Sequence, residues 1–348
     1  MPMITAFELY QYQIDLTPPL PVAKQRIDHR LGFIVIMMLD DKHQAFAEIS
    51  PLTGIDIEGL PLTGFSTETQ EQVKAELLQI KNQLVQQPLS QLTKLIEQNS
   101  RFTGQQRQFA SIQFGLSVLA AKCQQQLPAR QLPQAAIPLL YCGLTQTEID
   151  NKLADLEHIH SVKIKVAQTD MQSEIAFVHQ VLARKPELTL RLDANCGFTP
   201  EQAIDFLACL PKQQIEYIEE PCIHSKDNQV VYNQLGIKYA LDESLLAADI
   251  DYQALLKTQP GIGALILKPM LIGSLDLLQD IVTEAEHCNV RCILSSSLES
   301  DVGIDDLRLI SQALTPDNPP GLDTLSAFNQ QLRLADGSLD MTLLKIIQ

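Results

Sequence analysis

The sequence predicts an α/β fold, a barrel-like array of parallel βα units preceded by an α+β domain, and three observations carry that prediction. From about residue 136 onward, short apolar runs of strand length alternate with helical stretches, which is the rhythm of βα units in a parallel sheet. Before that point the order differs. β-branched and aromatic runs fill the first fifty residues, and a helical pattern follows over residues 68–126, as in an α+β domain. Charged residues also stand at the C-terminal end of one predicted strand after another. A doubly wound open sheet would share the rhythm, but barrel enzymes gather their chemistry at the carboxyl ends of the strands, so the barrel is favoured.

The N-terminal strands are FELYQYQIDL, GFIVIMMLD and QAFAEIS, each rich in β-branched or aromatic residues. Next, Pro51-Leu52-Thr53-Gly54 recurs as Pro61-Leu62-Thr63-Gly64, a repeat too short for a solenoid and best read as a local loop duplication. In residues 68–126 apolar positions recur at helical spacing among many glutamines, so the glutamines read as solvated helix faces. The barrel strands are AIPLLYC, VKIKV, LTLRLDA, IEYIEEP, KYALDES, ALILKP and RCILSSS, with GLDTL at residues 321–325 as a weak eighth. In VKIKV the alternation puts Val162, Ile164 and Val166 on one face and Lys163 and Lys165 on the other. Two like charges on one face suit an exposed edge, or a barrel interior with anions opposite.

Composition narrows the function classes. The 348 residues carry 26 basic against 42 acidic side chains, a formal net charge of -16, which argues against nucleic acid or an anionic membrane as partner. A small anionic substrate remains compatible, because local charge decides that. No apolar run approaches the length of a membrane span, and the first residues, MPMITAFELYQYQIDL, do not read as a signal peptide. Seven cysteines without a CxxC pair suggest free thiols and a cytoplasmic protein.

Taken singly, each strand-end group has an ordinary explanation. Asp193 could cap a helix, Glu219 and Glu220 could be a loop pair, Asp242 and Glu243 could cap the next helix, and Lys268 could be a surface lysine. Together they are harder to dismiss: Lys165, Asp193, Glu219, Asp242 and Lys268 follow one another at intervals of 28, 26, 23 and 26 residues, one βα unit each. In a barrel all five meet at one mouth. Three carboxylates on successive strands make a hard, oxygen-rich site suited to Mg²⁺. Such a site suits removal of a hydrogen next to a carboxylate, since a cation stabilises the enediolate that forms. A neutral lysine can take the proton if neighbouring positive charge lowers its pKa from about 10.4, which gives Lys163 a purpose beside Lys165.

At these residues the chain resembles the muconate-lactonizing subgroup of the enolase superfamily and, within it, the o-succinylbenzoate synthase family of menaquinone biosynthesis. The segments that carry the resemblance are EISPL, FGLS, the KIK strand, LRLDAN, IEEPC, LDESL, LKP, SSSLES and TPDNPPGLDTL, spread over residues 48–325. It implies a (β/α)7β modified TIM barrel at residues 106–325 with an α+β capping domain at residues 1–105, to which the C-terminal segment, about 326–348, returns. Mg²⁺, with Mn²⁺ as a substitute, would be held by Asp193, Glu219 and Asp242, these being preferred over Glu220 and Glu243. Lys165 would be the base, Lys163 its modulator and Lys268 the second lysine, a use of lysine general to the superfamily. Arg191 and Asn195 would orient the first ligand or, for Arg191, attract a second substrate carboxylate, and Ser295 and Gly321 would hold the succinyl end.

The implied reaction is dehydration of 2-succinyl-6-hydroxy-2,4-cyclohexadiene-1-carboxylate, a small dicarboxylate, to 2-succinylbenzoate. The oligomeric state is left open, with a monomer preferred. N-acylamino acid or dipeptide racemases and muconate cycloisomerases share the constellation, and a barrel without catalysis is the remaining alternative. Three features depart from the family pattern: Cys196-Gly197-Phe198 after LDAN, Met270 where a small hydroxyl residue is common, and the PLTG duplication.

Overall fold

The structure, a computed structural model, describes residues 2–22, 25–63, 65–99, 109–127, 137–154, 160–247 and 250–347. Gly64 of the second PLTG copy, Ala136 and the boundary expected between residues 105 and 106 lie outside the described residues.

The first three strands, β1 (Ile4–Val22), β2 (Gln25–Leu39) and β3 (Gln44–Ile49), form an antiparallel meander. The run Phe33 to Met37 is apolar at every position because β2 is covered on both faces. Phe33, Val35 and Met37 join the main core, whereas Ile34 and Ile36 pack with Tyr12, Leu332 and Leu339. Helices α1 (Gln70–Leu84), α2 (Leu89–Asn99) and α3 (Ala110–Cys123) follow. Thr69 and Gln72 start α1 with a reciprocal capping box. Every residue of α3 from Ala110 to Ala121 is buried. It runs between the N-terminal sheet and the barrel, so close that a Cβ on Gly115 would meet Ile49 Cγ1 at 2.3 Å. That contact is why FGLS has glycine there.

The barrel begins with β4 (Leu139–Tyr141) and α4 (Gln146–Ala154). It continues through β5 (Ser161–Lys165), α5 (Met171–Arg184), β6 (Thr189–Asp193) and α6 (Pro200–Ala208). Next come β7 (Ile215–Glu219), α7 (Asn228–Leu235), β8 (Tyr239–Leu241) and α8 (Tyr252–Thr258). The last units are β9 (Ile262–Leu267), a short α9 (Pro269–Ile272), α10 (Leu275–His287), β10 (Arg291–Leu294) and α11 (Asp301–Leu314). Strands β4 to β10 make one curled parallel sheet in sequence order. The weak eighth strand appears as a single parallel bridge, Ser295 with Gly321. That segment still spans the gap between the outer strands, since Gly321 N–H donates to Leu294 O at 2.8 Å and Ile137 N–H to Pro320 O at 3.3 Å. Finally β11 (Lys345–Ile347) pairs antiparallel with β1. The two PLTG copies face one another, Ile55 bridging Pro61 and Leu62 N–H donating to Gly54 O at 2.9 Å. Among the described residues no helix is long and apolar enough to cross a membrane.

Candidate active site

Parallel pairing places Lys165, Asp193 and Glu219 side by side at the ends of β5, β6 and β7. Asp242 and Lys268 stand one residue beyond β8 and β9. The intervening Ile164, Leu192, Ile218, Leu241 and Leu267 are buried in the main core. The two-residue period therefore turns the charged side chains inward. Lys165 Nζ lies 2.7 Å from Asp193 Oδ2 and 2.5 Å from Asn195 Oδ1. Lys163 Nζ reaches the same Asp193 oxygen at 2.8 Å and Glu219 Oε2 at 2.5 Å. Just beyond β9, which three strands separate from β5, Lys268 Nζ sits 2.6 Å from Asp242 Oδ2 at the end of the adjacent strand β8.

Burial and charge compete at these groups. Burial opposes ionisation of Asp193, but Lys163 and Lys165 outweigh it and hold the carboxyl far below its ordinary range. Burial, reinforced by the charges of Asp193 and Asp242, pushes Glu219 up to about 8 despite Lys163. Burial would discharge Lys163 and Lys268, yet Asp193 and Glu219 for the first, and Asp242 and Glu243 for the second, keep both ammoniums charged well above the usual lysine range.

Among the described residues no three acidic, cysteine or histidine side chains already enclose a cation-sized point. The Lys163 ammonium stands between Asp193 and Glu219, and that of Lys268 lies against Asp242. The donor set nevertheless fits a hard cation. Asp242 Oδ1 and Glu243 Oε2 are buried oxygens with no hydrogen-bond partner, and such oxygens are costly unless something positive meets them.

Asn195 and Arg191 are placed by partners the sequence reading did not identify. The Asn195 amide donates to Glu243 Oε1 at 2.8 Å while its oxygen meets Lys165. Burial, with the charges of Asp242 and Asp193, lifts Glu243 to about 7. Arg191 donates to Glu216 Oε2 and to Pro319 O, both at 3.0 Å, and lies over the Tyr217 ring. A register shift between β6 and β7 brings both Glu216 and Tyr217 to the inner side. Lys163, Arg191, Glu219, Ser295 and Gly321 line one small cavity whose apolar wall includes Tyr217, Ile266 and Ile293. Ser295 Oγ is 3.4 Å from Gly321 O.

The mouth loops are tightly bent, with Ala167, Asn195, Cys196 and Glu220 all at positive φ. Buried Glu174 holds the loop after β5 by accepting from Ala167, Gln168 and Thr169 N–H at 2.7, 2.7 and 2.8 Å. A Cβ on Gly197 would come within 2.5 Å of Ala167 Cβ, so adjacent loops touch there. Two departures from the family pattern point away from the mouth. Phe198 packs on Phe206 with ring centroids 5.3 Å apart, and buried Met270 faces the N-terminal domain, its sulfur 3.4 Å from Ser50 N.

Comparison with known proteins agrees with this architecture. Residues 148–336 match the model of the enolase C-terminal domain-like family, and residues 4–123 match that of the MenC N-terminal domain. The o-succinylbenzoate synthase of Klebsiella pneumoniae (strain 342) is 31% identical over 331 residues, covering 93% of this chain and 92% of that protein. The o-succinylbenzoate synthase of Thermosynechococcus elongatus BP-1, solved with Mg in its active site, superposes with a TM-score of 0.71 at 22% identity, covering 94% of this chain and 95% of the other. A dipeptide epimerase from Enterococcus faecalis V583 superposes with a TM-score of 0.73 at 19% identity, covering 94% and 92%; at that identity the likeness is one of fold. The chain belongs to the o-succinylbenzoate synthase family of the enolase superfamily.

Proposed function

We propose that the chain catalyses dehydration of 2-succinyl-6-hydroxy-2,4-cyclohexadiene-1-carboxylate to 2-succinylbenzoate, a carbon–oxygen lyase step of menaquinone biosynthesis, with Lys165 moving the proton. The observation that carries this reading is the convergence of three lysine amines, from two strands with three others between them, on three carboxylates at one barrel mouth.

Asp193, Glu219 and Asp242 would hold Mg²⁺, or Mn²⁺ as a substitute, and Asp242 Oδ1 is an acceptor with no other partner. When bound, the cation offsets negative charge developing on the substrate's ring carboxylate. Lys165 in its neutral form takes the hydrogen alpha to that carboxylate. Its ammonium form then protonates the departing hydroxyl on the same face, the C–O bond breaks and the ring becomes aromatic. Lys163 stays charged and balances Asp193 and Glu219. Lys268, held by Asp242, supplies a fixed positive charge to the enediolate. Asn195 orients Lys165. Arg191, fixed by Glu216, presents a cation to the substrate's second carboxylate inside the cavity it lines with Ser295 and Gly321.

The epimerase alternative finds less support. Asp323, the acid near the last bridge, already accepts from Lys152 at 2.8 Å and Leu139 N–H at 3.1 Å, leaving it poorly placed for a substrate ammonium. We divide the chain into a capping domain, residues 1–105 with 326–348, and a barrel, residues 106–325. The pairing of β11 with β1 supports the first. Seven free cysteines suit a cytoplasmic protein, and we take it as a monomer.

The test is direct. Purified protein with Mg²⁺ is mixed with the cyclohexadiene acid and aromatisation is followed in the ultraviolet. A rate no greater than that of Lys165→Ala would sink the reading. Asp193→Asn, Glu219→Gln and Asp242→Asn should each weaken Mg²⁺ dependence. Full activity of all three in a chelator would remove the metal from the mechanism.

A further inference from the structure

We propose that Glu220, to which the reaction assigns no chemical step, is the positioning residue that assembles the three acids into a cation site. The inference rests on the metal reading above and extends it. Glu220 is wholly buried and has φ +36, a conformation that costs a non-glycine residue energy and persists only where its surroundings enforce it.

Those surroundings are the three loops that carry the acids. The Glu220 carbonyl accepts from Cys196 N–H at 2.8 Å, on the loop after Asp193. Its own N–H donates to Ala240 O at 3.1 Å, on the strand that leads to Asp242. Its Oε1 accepts from Asp242 N–H at 2.8 Å, from Ser244 N–H at 3.0 Å and from the Ser244 hydroxyl. Its Oε2 accepts from the side-chain amide of Asn228 at 3.3 Å. Asn228 is itself wholly buried, and its Oδ1 accepts from Cys222 N–H at 3.0 Å. Glu220 thus fixes the backbone of Asp242 through its carboxylate, follows directly on Glu219 and meets the loop beyond Asp193 through its own backbone carbonyl. Three donors converge on Oε1 and an amide donor faces Oε2, so both oxygens must act as acceptors.

This arrangement makes a specific demand on residues 220 and 228. In Glu220→Gln the new NH₂ would face the NH₂ of Asn228. If Asn228 turned over, its NH₂ would instead face Cys222 N–H. In Asn228→Asp two carboxylate oxygens would meet. In the double variant the new Gln donates to the new Asp, which also accepts from Cys222 N–H, so every bond is restored and the charge is unchanged. All these residues are isosteric with those they replace.

Mg²⁺ binding to the metal-free wild type and the three variants, measured by titration calorimetry without substrate, tests the proposal. Each single variant should bind Mg²⁺ about tenfold or more weakly, as for other residues that hold metal ligands in place. The double variant should return to within about threefold of wild type. Asn228→Asp binding as tightly as wild type or more tightly, which added negative charge alone would produce, overturns the proposal. A double variant no better than the singles does the same. A wild type that takes up no Mg²⁺ overturns the metal reading and this inference with it, whereas wild-type binding with no response in the variants overturns only the role of Glu220.

Discussion

Asp193 Oδ2 accepts from both Lys163 and Lys165, at 2.8 and 2.7 Å. The sequence suggested that Lys163 acts on Lys165 as a neighbouring cation. The geometry adds a carboxylate that they share, and each lysine has a second acceptor of its own, Glu219 Oε2 for Lys163 and Asn195 Oδ1 for Lys165. Asn195 in turn is oriented by Glu243, so the position of the Lys165 nitrogen depends on a chain two residues deep. Lys165→Ala should therefore lower kcat at least about 10³-fold, since one group serves as base and then acid. Asn195→Ala should lower kcat by roughly one to two orders of magnitude while leaving Mg²⁺ affinity close to wild type, because it removes an orienting bond rather than a ligand. Steady-state aromatisation rates and Mg²⁺ titrations separate the two effects. A wild-type kcat in Asn195→Ala would show that the bond to Lys165 is idle.

Within the barrel strands the inward direction of most functional groups was legible, because a period of two needs only the alternation of apolar and charged residues. Strand β7 breaks that period. The shift opposite Leu190 and Arg191 turns Glu216 inward beside Tyr217, and a sequence read by strict alternation puts Glu216 on the outer face. Its partner Arg191 was legible as a group near the first acid, but the carboxylate that holds it was not. Similarly, Glu220 and Glu243 were read as the weaker members of two acid pairs, whereas the fold gives each a partner set that depends on other loops. Distance in sequence, 22 residues between Glu220 and Asp242, hides such bonds. The floor of the barrel follows from the bulge: Glu216 also pairs with Arg291, but Arg291 is half-exposed and that pair contributes little. Glu216→Ala leaves buried Arg191 with the Pro319 carbonyl and the face of the Tyr217 ring but no anion bonded to it and should destabilise the protein by about 3–5 kcal/mol, the range for breaking a buried ion pair. Urea unfolding measures it. A loss under about 1 kcal/mol would mean that Arg191 is adequately solvated without the acid.

The N-terminal sheet and the barrel are joined through buried charges that reach the segment carrying Ser295. Arg30, only 2% exposed, donates to Ser50 O at 3.0 Å and Pro51 O at 3.4 Å on one side, and to Leu298 O at 2.8 Å and Ser297 O at 3.4 Å on the other. Glu48 accepts from Tyr12 Oη at 2.5 Å and, at the start of α11, from Ser300 N–H at 3.0 Å and Gly303 N–H at 2.9 Å, where a helix N-terminus favours an anion. A second acid, Glu299, is wholly buried between them. Its Oε2 accepts from Ser297 N–H at 2.6 Å, while Oε1 has no partner. Burial, then the charge of Glu48, raises Glu299 from 4.5 to about 7, with Ser297 and Arg30 opposing. The sign follows from proton counting. Between the unfolded value and about 7 the folded state binds the extra proton, so this group's contribution favours the fold at low pH and is lost as pH rises through about 7. Glu299→Gln reproduces the protonated form at every pH. It should stabilise the protein by on the order of 3 kcal/mol at pH 8 and by under about 1 kcal/mol near pH 5. Urea unfolding of both proteins at the two pH values isolates this residue from the other titrating acids. A difference between them that does not change with pH would mean that Glu299 stays ionised in the folded protein, its charge carried by Arg30 across the junction.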